Sequence, residues 1–74
     1  TLSSSSAASD VYKRQAKMWS AYLDFDISGR DVALMMVLLK VARTKAGSHN
    51  TDDYVDMVGY SSIAGELAEG ETND

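Results

Sequence analysis

At 74 residues the chain holds at most one small domain, with a modest core that ordinarily needs a staple or a partner. Eleven acidic side chains against seven basic ones give a net charge of −4, and no basic stripe is present to neutralise phosphates, which argues against a general nucleic-acid binder. There is no cysteine for disulfides or thiolate metal sites, which fits a reducing, cytoplasmic setting, and no apolar run approaches the roughly 20 residues of a bilayer span.

The chain opens TLSSSSAASDVYKRQ. Residues 5–15, SSAASDVYKRQ, match the translation of a transposon-end adaptor used in sequencing libraries, along all eleven residues. On that reading residues 1–15 are a non-native, disordered tail with no functional meaning, and the native N-terminal part is missing. Counted from Ala16, five Lys and Arg stand against ten Asp and Glu.

Residues 16–23, AKMWSAYL, carry Met18, Trp19, Tyr22 and Leu23 at helical spacing and read as the last turns of a helix. Trp19 and Tyr22 are expected to pack, and Met18, Met35, Met36 and Met57 to fill the core. Asp24-Phe25-Asp26-Ile27 alternates polar and apolar over too few residues for a sheet. It is expected to be an extended connector with Phe25 and Ile27 turned inward.

Ser28-Gly29-Arg30-Asp31 is a helix start with the capping-box pattern, Asp31 standing where Glu is usual, and Ile27 is placed to staple against Val32. The helix predicted from here to about Ala46 holds eight unbroken apolar residues, 32–39, so it is apolar nearly all the way round and must be covered on more than one side. Lys40, Arg43 and Lys45 lie toward its C-terminal end, where the helix dipole favours cations, and Gly47 supplies the stop.

Ser48-His49-Asn50 reads as a short loop. Asn50 or Thr51 caps the next helix, predicted to run from about Thr51 to Glu69, with Asp52 and Asp53 in its first turn. Tyr54, Val55, Met57, Val58, Ile63, Leu67 and Ala68 supply its apolar cover. Gly59, Ser61, Ser62, Ala64 and Gly65 are small, and the two glycines suggest a close backbone contact or a bend. The expected architecture is all-α: an antiparallel helical hairpin plus an N-terminal helix stub, one domain over 16–70, with a frayed tail at 71–74. The hairpin alone cannot shelter residues 32–39, so a homo-oligomer or missing chain is expected to complete the cover.

The best candidates for chemistry are Asp53 and Asp56, three apart on one face of a helix start, with Asp52 and Tyr60 beside them. Such carboxylates suit a hard cation such as Mg²⁺. The more economical reading is structural: Lys40 and Arg43, also three apart, pair with them across the hairpin. The same two cations are alternatively contacts for a phosphate. His49 is the only histidine and reads as a loop residue. No Gly-rich phosphate loop, nucleophile elbow or Cys–His pair is present.

The segments WSAYL, ISGRDVALMMVLLKVAR and DDYVDMVGYSSIAGE resemble a phage- and prophage-associated family of small helical proteins of unknown function. The positions that carry the likeness are Trp19, Tyr22, Leu23, Ile27, Ser28, Lys40, Arg43, Asp52, Asp56, Gly59 and Tyr60. The resemblance implies an all-α fold, a phage or prophage origin and no particular activity, and the expected location is the cytoplasm of a bacterial host cell. Asp53, Asp56 and Tyr60 are also distantly similar to the second half of the metal site in MazG-type nucleoside triphosphate pyrophosphohydrolases. That site's first half, a Glu-x-x-Glu pair on an earlier helix, has no counterpart here, since the only glutamates, Glu66, Glu69 and Glu71, all follow the candidate site. The expectation is therefore a non-catalytic oligomerising interaction module with no cofactor, no membrane partner and no nucleic acid. The alternative is a Mg²⁺-dependent nucleotide-binding or pyrophosphohydrolase domain.

Overall fold

The computed structural model describes residues 2–72, with side chains described for residues 8–70. It holds three helices, α1 (Leu2–Leu23), α2 (Gly29–Thr44) and α3 (Thr51–Thr72), and no strand among the described residues, so the fold is all-α as expected.

Where a disordered tail and a helix stub were expected over 1–23, α1 is one helix of 22 residues. No proline or glycine occurs before Gly29 to interrupt it. Its first half also has something to lean on. Ser9 is buried, as is Ala16 farther along, and the Ser9 hydroxyl donates to Glu66 Oε1 of α3 at 2.8 Å.

The turn after α1 differs from the alternating connector predicted for it. Asp24 takes the left-handed conformation, φ 54°, and the Phe25 N–H reaches back to the Ser20 carbonyl at 3.2 Å, the six-to-one bond of a Schellman motif. The chain is turning at Phe25, so a period of two does not apply there, and Phe25 is 69% exposed instead of plugging the core. Ile27 is half-buried. The Ser20 hydroxyl holds both its backbone polar groups, accepting from Ile27 N–H at 2.9 Å and donating to Ile27 O at 3.1 Å.

The capping box forms as read. The Ser28 hydroxyl accepts from Asp31 N–H at 3.1 Å, and the Asp31 carboxylate accepts from Ser28 N–H at 3.0 Å. At its other end α2 stops at Thr44, two residues short of the prediction. The last turn tightens, with Lys45 N–H to Ala42 O and Ala46 N–H to Arg43 O, both 3.2 Å, and Gly47 then takes φ 76°. Asn50 caps α3, its side-chain oxygen accepting from Asp52 N–H at 3.0 Å.

The α2–α3 pair is the most extensive packing in the molecule, and it is antiparallel: Lys40 near the end of α2 meets Asp56 near the start of α3, while Gly29 at the start of α2 lies by Leu67. Helix α1 crosses at that second end. A Cβ on Gly29 would stand 3.3 Å from Lys13 Cγ and 3.4 Å from Leu67 Cδ1, so a residue without a side chain permits the crossing. The core gathers there, from Ala16, Val32, Ala33, Ala64 and Leu67.

The molecule is a slab of 41 × 32 × 18 Å. Its radius of gyration is 13.2 Å, where a compact chain of this length reaches roughly 11 Å. It exposes 5385 Å², against roughly 4,500 Å² for a compact monomer of its mass. Large apolar side chains are among what it exposes. Leu34, Met35, Leu38, Leu39 and Val41 of α2 are exposed, as are Met18, Tyr22 and Leu23 of α1 and Tyr54, Val55 and Val58 of α3. Met18 and Tyr22 therefore do not pack as expected, because the core ends before the last turns of α1. A Cβ added at Gly59 or at Gly65 would meet nothing within 4 Å, so the close approach they suggest is not made among the described residues.

Candidate functional site

The candidate residues gather at the end of the hairpin remote from the core. Three-residue spacing puts Lys40 and Arg43 on one side of α2 and Asp53 and Asp56 on one side of α3, and the antiparallel pairing turns the two sides toward each other. Lys40 Nζ is 2.9 Å from Asp56 Oδ2 and 3.9 Å from Asp53 Oδ1, and Arg43 Nε is 3.8 Å from Asp53 Oδ1. Asp53 is 4% exposed, so its charge depends on these two cations and on the dipole at the start of α3. The hydrogen bond to Asp56 holds the Lys40 ammonium above its ordinary pKa of 10.5, against a smaller opposing effect of desolvation.

Arg43 is less committed. Its side chain is 61% exposed, and it borders an open pocket of about 290 Å³ lined also by Ala46, Ser48, Asn50 and Asp53. Asp52 is exposed, and its described contact is through its backbone to Asn50. Tyr60 faces α1, edge-on to Tyr12 with ring centroids 6.3 Å apart. Burial, and then Tyr60, raise the Tyr12 pKa above 10.0. His49 stays in the loop, 3.3 Å from Thr51 Oγ1 and tilted against the Tyr54 ring.

Chemically the cluster is a balanced set of two cations and two anions. A Mg²⁺ ion between Asp53 and Asp56 would have to displace Lys40. Among the described residues no group of three or more His, Asp or Glu stands close enough together to hold a metal. Ser20, which organises the α1–α2 turn, carries no mark in the sequence that separates it from the other serines. Glu66 and Ser9 likewise find each other only through the tertiary fold.

A family model described as a domain of unknown function, DUF6378, matches residues 4–68. The chain belongs to this family. The expected phage association also holds for relatives of this DUF6378 chain. It is 41% identical over 64 residues to the Gene 55 protein of Mycobacterium phage D29, a match covering 81% of this chain and 42% of the relative. It is 37% identical over 57 residues to the Gene 55 protein of Mycobacterium phage L5, covering 76% and 36%. The DUF6378 chain thus spans less than half the length of these curated relatives. No solved structure matches it. Among its described residues no helix is long and apolar enough to cross a membrane.

Proposed function

We propose that this DUF6378 chain is a non-catalytic helical interaction module that works by self-association, in the cytoplasm of a phage-infected bacterium. One observation carries the reading: the exposed side of α2 presents Leu34, Met35, Leu38, Leu39 and Val41, while the one charged residue among them in sequence, Lys40, is turned inward onto Asp53 and Asp56. An apolar patch of more than a few hundred Å² on a small protein marks an interaction surface. The ion pairs then have a structural role, holding the α2–α3 hairpin in register so that this surface is presented. Sedimentation velocity across a range of concentrations tests the proposal. A reversible shift to a larger species supports it, and a monomer throughout removes it.

A second reading has narrower support. Asp53 and Asp56 share a face beside the pocket that Arg43 borders, an arrangement that would suit a Mg²⁺-bound nucleotide phosphate once Lys40 had moved aside. In a full-length protein Asp56→Asn would then abolish metal-dependent nucleotide turnover. Absence of turnover before mutation, or no loss after it, eliminates this reading.

A further inference from the structure

We infer that the outward face of α2 is a two-fold interface, on which a second copy of this chain seats antiparallel with Leu38 against Leu38. The inference deepens the self-association reading and rests on it.

Asp31, Leu34, Leu38, Val41 and Lys45 follow one another in steps of three and four residues, the spacing of a helix–helix seam. Asp31, Leu34, Leu38 and Val41 lie opposite the side of α2 that holds Gly29, Val32, Ala33 and Lys40 against the other two helices, and Lys45 caps its C-terminal end. Leu38 is at the centre of the seam and is 66% exposed. Between Asp31 and Lys45 the seam has no charge.

The ends of the seam decide the orientation. Asp31 lies seven residues before Leu38 and Lys45 seven after it. An antiparallel copy centred on Leu38 therefore sets Asp31 of each chain opposite Lys45 of the other. A parallel copy would set aspartate on aspartate and lysine on lysine. Asp31 retains a second carboxylate oxygen for this role, since Oδ2 is the one that accepts the Ser28 N–H. Lys45 is exposed.

Charge also separates this face from the other unpartnered one. The outward side of α3, with Val55, Val58 and Gly59, belongs to a helix without a single Lys or Arg. An antiparallel copy there would bring Asp52 toward Glu69, acid on acid. The occupant that charge favours on α2 is thus disfavoured on α3.

Because the chain has no cysteine, one introduced thiol reports its own surroundings. Leu38→Cys places two thiols across the two-fold axis, within reach of a disulfide. Met18→Cys and Val58→Cys, at positions 70% and 71% exposed, are the controls. Under a mild oxidant the Leu38→Cys chain should become a covalent dimer at least about tenfold faster than either control. If sedimentation shows an oligomer but Leu38→Cys links no faster than Val58→Cys, this interface is wrong and self-association stands. A monomer at every concentration overturns both.

Discussion

Lys40 is the only charged residue between Asp31 and Arg43, and it faces the interior of the hairpin. Lys40→Met should destabilise the chain beyond the loss of one ion pair, because nearly buried Asp53 is left with Arg43 at 3.8 Å as its remaining cation. Adding Asp53→Asn should restore part of the loss, so the double variant unfolds in more urea than the sum of the single effects predicts. Additive effects would show that the cluster is not a unit. Alkaline pH probes the same residue. Lys40 has a folded-state pKa above its ordinary value, so its stabilisation is complete below 10.5 and is lost as pH rises through the folded value. Tyr12 acts in the same direction, since its raised pKa makes the folded state the poorer place to form phenolate. Urea unfolding free energy should therefore fall as pH rises above the ordinary tyrosine and lysine values of 10.0 and 10.5, with a shallower fall in Lys40→Met.

At the scale of the helix, the ends carry most of the specific information. Ser28→Ala removes the acceptor for Asp31 N–H and should cost about 1 kcal/mol in thermal or urea unfolding. Asp24→Gly should do the reverse, by up to about 1 kcal/mol, since glycine takes the left-handed conformation at φ 54° without steric cost. A loss of stability in Asp24→Gly would mean that the aspartate side chain is needed at that turn. These ends also show what was legible beforehand. The Ser28–Asp31 box, the Asn50 cap and the pairing of Lys40 and Arg43 with Asp53 and Asp56 depend on short-range spacing, and sequence displays such spacing directly. The orientation of Phe25 depends on a Schellman turn made by an Asp where Gly is usual, so the apparent alternation misled. The length of α1 is hidden by the adaptor-like match over residues 5–15, which reads as a tail, and its support comes from contacts with residues more than fifty positions away, such as Ser9 with Glu66.

For the whole molecule, too few large side chains reach the interior. Among the described residues Val32 is the only large one fully buried, so Val32→Ala should cost about 2 kcal/mol at any protein concentration. The exposed face of α2 should behave differently. If its cover is a second copy, association stabilises the folded state by mass action, and the melting temperature must rise with concentration. For a dimer of this chain length a tenfold increase is worth about 1.4 kcal/mol per dimer, or about 4 °C in Tm. Leu38→Lys should abolish that concentration dependence while leaving the Tm of the dilute protein almost unchanged, because the side chain it alters has little to lose in the monomer. Circular dichroism melts at three concentrations distinguish the cases. A Leu38→Lys chain that melts early even when dilute would show that Leu38 supports the monomer's own packing, contrary to the division of labour between the two sides of α2.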